Sequence, residues 1–209
     1  MSTAAKAPKS SPITLTVLSL LHFKPLHPYG MQRLLKQWGK DQVVNVGQRT
    51  SLYRAIDRLL SAGLIAVRET GRDQQYPERT VYEITDAGRE ATRTWLLEML
   101  REPRLEFPEF PVALSNLMLL APGEIEQALA ARLAAVRAGR AAQERSLAET
   151  AAVGVPRVAM LETEYAVALA TAEADWLESV IADLRSGTLT WSAEELIAVA
   201  QASDAQAPQ

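Results

Sequence analysis

Residues 48–84 read QRTSLYRAIDRLLSAGLIAVRETGRDQQYPERTVYEI, a helical pattern followed by two strand-like runs. Between residues 48 and 62 the apolar residues recur at helical spacing and share one stripe: Leu52, Ile56 and Leu59. Gly63 then supplies the left-handed backbone conformation in which many helices end. These residues predict a helix over 48–62 that is buried along one face.

The opposite face of this predicted helix is polar. At 100° per residue, four side chains lie roughly opposite the apolar stripe: Thr50, Arg54, Asp57 and Arg58. Arginine pairs with guanine edges in the major groove of DNA, and hydroxyl groups bind phosphates or base edges. We interpret this face as a candidate DNA-reading surface, and a solvated face that binds nothing is the alternative.

The runs at 64–68 and 80–84 are rich in β-branched and aromatic residues, and they flank a polar stretch with Gly71 and Pro77. This composition predicts a two-stranded hairpin with a long tip. The hairpin carries three arginines: Arg68 at its base, and Arg72 and Arg79 at its tip. A basic tip suits the DNA backbone or minor groove beside a reading helix.

Two short basic helices are predicted before this stretch, over about 12–22 and 29–38, and a helix from an N-cap at Thr85 to about residue 100 follows it. The order of three helices, two strands and a helix predicts a winged helix-turn-helix at residues 12–102. The fold class is therefore mainly α with a small sheet. Residues 1–11 are expected to form a flexible arm.

Prolines interrupt residues 101–111, and we place the domain boundary there. Residues 103–200 are predicted to form an α-helical dimerisation domain, and 201–209 a flexible tail. The first long helix has a heptad-compatible stripe at Ile125, Leu129, Val136, Gln143 and Leu147, which the polar Gln143 makes imperfect. The second, from Pro156 to Gly187, has an apolar stripe at Val158, Leu161, Tyr165, Ala168, Ala172, Trp176 and Val180. An antiparallel pair of such helices leaves one side uncovered, which predicts a homodimer.

Composition and charge narrow the function classes. The chain has 209 residues and no cysteine, so disulfide frameworks and cysteine metal sites are excluded. Residues 1–104 carry a net charge of +6 and residues 105–209 carry one of −9, so a polyanion would be drawn to the first half. The alternative is that this uneven distribution of charge arose by chance and has no functional meaning. No apolar run approaches the roughly 20 residues of a membrane span, and we expect a cytoplasmic protein without a membrane partner.

The residue patterns predict neither a catalytic site nor a metal site. The two histidines, His22 and His27, lie near helix ends without carboxylates at ligand spacing. The sequence has no Gly-x-Ser-x-Gly elbow and no glycine-rich phosphate loop. We therefore expect no enzyme activity and no cofactor. A small hydrolase, a further alternative, lacks a recognisable catalytic dyad.

Four local segments stand in a distinctive order: His27-Pro28-Tyr29-Gly30-Met31, Ser51-Leu52-Tyr53-Arg54-Ala55-Ile56-Asp57-Arg58-Leu59, Ala62-Gly63-Leu64-Ile65 and Tyr82-Glu83-Ile84-Thr85-Asp86-Ala87-Gly88. In this order they resemble the PadR family of winged-helix transcriptional regulators, over about residues 13–100. The acidic half resembles the longer C-terminal helical domain of one branch of that family, through its architecture and the Trp176-Leu177 segment.

The resemblance implies a homodimeric repressor that binds inverted-repeat operators in double-stranded DNA and releases them when a small, often aromatic effector binds. Family roles place seven DNA contacts in the recognition helix, the turn before it and the wing: Arg49, Thr50, Ser51, Tyr53, Arg54, Arg72 and Arg79. Arg58 joins them from the polar helix face.

The effector is expected to lie against three aromatic residues between the winged helix and the acidic helices: Trp95, Tyr165 and Trp176. Packing in the core or at a dimer contact is the alternative role for these side chains. For the whole chain, the alternative from another class is a winged-helix protein-interaction module without DNA binding.

Overall fold

The computed structural model describes residues 10–40, 49–71 and 79–192. The chain divides into two compact units, Met1–Leu105 and Glu106–Gln209. The first unit contains helices α1 (Pro12–Phe23), α2 (Pro28–Gln37) and α3 (Arg49–Ser61), strands β1 (Ile65–Gly71) and β2 (Arg79–Ile84), and helix α4 (Asp86–Arg101). This is the order predicted for a winged helix-turn-helix, and the predicted fold class is confirmed.

The core of the first unit is built from the apolar stripes of its helices. The predicted stripe of α3 is buried, because Leu52, Ile56 and Leu59 are each at most 1% exposed. They pack with residues of the other helices and both strands: Val17, Leu18, Leu21, Met31, Leu35, Ile65, Ile84 and Trp95. One face of α3 is therefore fixed to the core, and the other is free to meet a partner.

The two strands form an antiparallel hairpin in which Ile65 pairs with Ile84 and Val67 with Tyr82. A β-bulge lies between Val67 and Glu69, at Arg68. Leu26 forms an isolated antiparallel bridge to β2, in which its N–H and carbonyl each form a 3.0 Å hydrogen bond with the backbone of Tyr82. The sequence suggested only a helix break there, since a single bridging residue has no strand periodicity.

The turn between β2 and α4 is hydrogen-bonded to the turn that ends α3. Gly63 has a φ of 69°, the left-handed conformation that the sequence predicted. The N-cap at Thr85 is also confirmed: its hydroxyl accepts from the N–H of Gly88 and donates to the carbonyl of Gly63 at 2.8 Å. Thr85 therefore holds the start of α4 against the turn that leaves α3.

The second unit contains α5 (Glu109–Leu114), a single 3₁₀ turn (Leu117–Leu119), α6 (Pro122–Ala152), a second 3₁₀ turn (Arg157–Ala159) and α7 (Leu161–Ser186). Helices α6 and α7 are antiparallel and share a core of Ile125, Leu129, Leu177, Ile181 and Leu184. Interhelical ion pairs line the seam: Arg132–Glu173, Arg137–Glu178 and Arg185–Glu126.

The apolar stripe predicted for α7 is mostly exposed and is not the face that packs on α6. Tyr165 and Trp176 are 66% and 43% exposed, whereas Leu177 and Ile181 are 0% and 4% exposed. Helix α7 is apolar on two faces, so periodicity alone does not reveal which face meets α6. Pro156 does not open the helix either, because it caps the 3₁₀ turn and α7 begins at Leu161.

Among the described residues, no helix combines the length and the apolar character needed to span a bilayer.

Candidate nucleic-acid interface

Helix α3 presents a polar surface opposite its buried stripe. Thr50, Arg54, Asp57 and Arg58 are exposed, Tyr53 is 47% exposed, and Ser51 is half-buried. Arg49 is the first residue of the helix. The structure therefore brings six of the predicted recognition-helix residues onto one 13-residue helix, with the exposed ones away from the core.

The two arginines of this surface differ in their contacts. Arg58 Nε donates to the backbone carbonyl of Arg54 at 3.2 Å, so part of its guanidinium is turned back along the helix. Within the described residues the Arg54 side chain has no ion-pair or hydrogen-bond partner, and it is exposed near the middle of α3. Arg54 is thus the more available of the two for a partner molecule.

Tyr82 of β2 lies close enough to α3 to interact with it electrostatically. Burial, then the negative charge of Asp57, then Tyr53, hold the pKa of Tyr82 above its usual value, although a side-chain hydrogen bond with Thr80 opposes the shift. The phenol is therefore neutral at physiological pH. Sequence alternation pointed to a half-buried residue here but gave no signal that it would interact electrostatically with Asp57 and Tyr53 of α3.

Two of the three wing arginines, Arg68 and Arg79, lie within the described residues. Arg68 occupies the β-bulge, exposed, with a guanidinium nitrogen 3.8 Å from Glu83. A bulge changes the direction of a side chain relative to a regular strand, so it sets the orientation of Arg68. Arg79 is the first residue of β2, opposite Gly71. Arg72 lies outside the described residues.

The three predicted effector residues have different surroundings. Trp95 is 6% exposed and belongs to the core of the first unit. Tyr165 and Trp176 are on the exposed face of α7, eleven residues apart and so about 16 Å along the helix. Packing therefore accounts for Trp95, whereas the other two are available to a partner.

Trp176 belongs to a small aromatic cluster that the sequence did not reveal. Its ring meets Phe110 of α5 edge to face at 6.1 Å. The guanidinium of Arg132 stacks 3.5 Å from the centroid of the same Phe110 ring, while its Nε donates to Glu173 at 2.6 Å. Phe110 lies in a proline-rich segment without periodicity, which explains why its role was not predicted.

The described residues contain no cluster of three or more histidine or acidic side chains that would hold a metal ion. His27 is the N-cap of α2 and accepts from the N–H of Tyr29 at 3.1 Å. His22 lies in the last turn of α1, where its Nδ1 is 3.4 Å from a guanidinium nitrogen of Arg89. Both histidines are at helix ends, in line with the sequence prediction.

In sequence, residues 17–94 match the family described as the transcriptional regulator PadR-like family. Bacillus subtilis PadR in complex with operator DNA has a similar structure, with a TM-score of 0.66 and 20% identity, over 83% of this chain and 99% of that chain. The same protein in complex with p-coumaric acid gives a TM-score of 0.65 and 20% identity, over 83% and 98%.

The Vibrio cholerae virulence activator AphA is also similar, with a TM-score of 0.61 and 18% identity, over 83% of this chain and 98% of that chain. No curated protein matches the sequence. At these identities the structural likeness shows a shared fold.

Proposed function

We propose that this chain, whose residues 17–94 are a PadR-like domain, is a ligand-responsive transcriptional repressor that binds an inverted-repeat operator as a homodimer. The observation that carries the proposal is the exposed face of α3, where Arg54 extends from a winged helix without a partner among the described residues. The family matched by residues 17–94 is one of transcriptional regulators.

Helix α3 would act as the recognition helix. The major groove is about 12 Å wide and admits one α-helix. Arg54 would read a guanine, whereas Thr50, Ser51, Tyr53 and Arg58 would contact phosphates or neighbouring base edges. Burial of Leu52, Ile56 and Leu59 supports this role, because it fixes the rotation of the helix about its axis.

The hairpin would act as the wing and bind the flanking DNA backbone. Arg68 and Arg79 lie in the two strands, Arg49 is the first residue of α3, and Arg72, outside the described residues, follows β1 in the sequence. Contacts between arginine and phosphate position a protein on the duplex without reading its sequence. The net charge of +6 over residues 1–104 favours binding to a polyanion.

The exposed apolar face of α7 would bind a second copy of the chain. Leu161, Tyr165, Leu169 and Trp176 are 43–66% exposed on one face of a helix whose other face is already buried against α6. Contiguous apolar surfaces of this kind mark interaction sites. In a two-fold dimer the same face of each copy meets the other, and two recognition helices about 34 Å apart would read successive turns of DNA.

The effector would be a small aromatic compound bound against Trp176 or against Tyr165, because the two residues lie about 16 Å apart along α7 and one small ring cannot span that distance. Trp95 would serve mainly the core. The p-coumaric acid complex of B. subtilis PadR supports an aromatic class of ligand for a protein of this fold. The net charge of −9 over residues 105–209 favours neutral or cationic compounds over carboxylates. A coupling of about 1–3 kcal/mol would weaken operator binding 5- to 150-fold.

Selection from random duplex DNA tests the proposal. The wild-type chain should enrich an inverted repeat, and Arg54→Ala should lose about 1–3 kcal/mol of operator affinity and relax one base preference. Arg93→Ala, which removes an exposed arginine from α4, is the matched control and should retain the preference. If no duplex is enriched while the chain forms a stable complex with another protein, the interaction module without DNA binding is the better function.

A further inference from the structure

The exposed face of α3 carries a carboxylate beside its central arginine. Arg54 and Asp57 are three residues apart, and both lie opposite the buried residues Leu52, Ala55 and Ile56. Three residues of an α-helix span about 4.5 Å along the axis. Successive bases of a strand are about 3.4 Å apart, so the two positions are close enough together for their side chains to reach neighbouring base pairs.

Neither charged group is neutralised by the other. Opposite charges three residues apart on a helix often pair, but no ion pair joins Arg54 to Asp57 in the part of the chain that the structure describes. Arg58 donates to the backbone carbonyl of Arg54, and Ser61 donates to the backbone carbonyl of Asp57. These hydrogen bonds use main-chain oxygens and leave the Asp57 carboxylate exposed.

A carboxylate on a DNA-facing surface restricts what can lie opposite it. It is repelled by phosphates, and it can only accept hydrogen bonds. The major-groove donors are the amino groups of cytosine and adenine, but adenine also presents the N7 acceptor, which suits an amide and repels a carboxylate. Cytosine is therefore the base whose major-groove edge Asp57 fits best.

We propose that Asp57 is a specificity-determining residue that accepts a hydrogen bond from a cytosine amino group, next to a base pair whose guanine is read by Arg54. The inference rests on the proposed function and adds a property of the operator to it. Each half-site contains a guanine and a cytosine on neighbouring base pairs, and Asp57 excludes duplexes that lack the cytosine. Specificity then comes from one donor and one acceptor on the same helix face.

Selection from random duplexes with the full chain and its Asp57→Asn variant tests the inference. Wild type should require the cytosine, and replacing it should weaken binding about 5- to 150-fold, the usual cost of one mismatched base pair. Asparagine pairs with adenine, so Asp57→Asn should change the preferred base at that one position from cytosine to adenine. Asp57→Ala should bind with no preference there and the same preference elsewhere.

Glu90→Gln is the matched control, because it removes one exposed carboxylate from α4 of the same unit. It should leave the selected sequence unchanged. If Asp57→Asn and Asp57→Ala raise affinity for all duplexes alike and select the wild-type motif, Asp57 only repels phosphates and the inference is overturned while the proposed function stands. If the wild-type chain enriches no duplex, the proposed function fails and the inference fails with it.

Discussion

Of the described glycines, Gly88 has the least room for an added carbon atom. A Cβ at this position would lie 2.0 Å from the carbonyl oxygen of Leu64 and 2.8 Å from Cγ1 of Ile84. Backbone cannot move aside as a side chain can, so Gly88→Ala should reduce the free energy of unfolding by about 1–3 kcal/mol or more. Chemical denaturation measures the change.

Gly139→Ala is the matched control for Gly88→Ala. Gly139 is in the interior of α6, and a Cβ there would meet nothing within 4 Å. Alanine is a better helix former than glycine, so this variant should gain up to about 1 kcal/mol. Equal effects of the two substitutions would show that α4 does not approach the carbonyl of Leu64 as closely as described.

Arg157 and Glu164 form a bidentate pair at the start of α7, with hydrogen bonds of 2.8–3.1 Å. The hydrogen bond from Arg157 holds the pKa of Glu164 below its usual value. Because the folded-state pKa is the lower one, the pair stabilises the fold above the unfolded pKa of the carboxyl, and this stabilisation is lost as the pH falls through the folded pKa. Arg157 is exposed and Glu164 is half-buried at the protein surface, where solvent screens the pair, so the effect is small.

Thermal unfolding of wild type and Glu164→Gln across pH checks this coupling. The wild-type Tm should be the higher at neutral pH, and the two values should converge in acid. Glu149→Gln, which alters another exposed carboxylate of the same unit, should show no such convergence. A constant difference between wild type and Glu164→Gln would contradict the assignment.

Sequence reasoning identified the polar positions of α3 from periodicity, because one buried stripe determines the opposite face. It did not predict that Arg58 would donate to a backbone carbonyl or that Tyr82 would interact electrostatically with Asp57. Both depend on side-chain rotamers and on packing between elements distant in sequence. Candidate positions on one helix were therefore predictable, whereas their partners were not.

At the level of single helices, α7 shows that an apolar stripe in the sequence does not reveal which helix packs against it. Its sequence supports two apolar faces, and the sequence-based interpretation chose the exposed one. Which face of α7 is buried against α6 depends on the facing residues Ile125 and Leu129. These residues belong to α6, so the periodicity of the α7 sequence carries no information about them. The wing and the helix boundaries of the first unit were predicted well, because glycines, an N-cap and a change of period mark them.

The two faces of α7 should respond differently to truncation. Leu177→Ala should lower the free energy of unfolding by about 2–5 kcal/mol, because Leu177 is 0% exposed. Leu169 is 54% exposed, so Leu169→Ala should leave the unfolding of the isolated protomer nearly unchanged and weaken self-association. Denaturation at low protein concentration and sedimentation equilibrium separate the effects. A Leu169→Ala variant with unaltered association would place the dimer contact elsewhere.

For the whole molecule, the charge separation predicts how DNA binding depends on salt. Residues 1–104 carry +6 and residues 105–209 carry −9, so attraction to phosphates is confined to the first half. Arg72→Ala and Arg79→Ala should weaken binding to all sequences alike and reduce the slope of log K against log[salt] by about one each. Lys9→Ala, remote in sequence from both, is the comparison. If these variants lost affinity for some DNA sequences more than for others, the wing would contribute to reading the bases.

The bridge between Leu26 and Tyr82 links two distant parts of the chain through a reciprocal pair of backbone hydrogen bonds. Each amide exchanges its hydrogen with solvent only after its own bond breaks, but both bonds join the same pair of residues. We therefore expect them to break together, when the connector between α1 and α2 separates from β2. Hydrogen–deuterium exchange at the two amides should therefore give equal opening free energies. Substitutions in the helix pair α6–α7 should not change them.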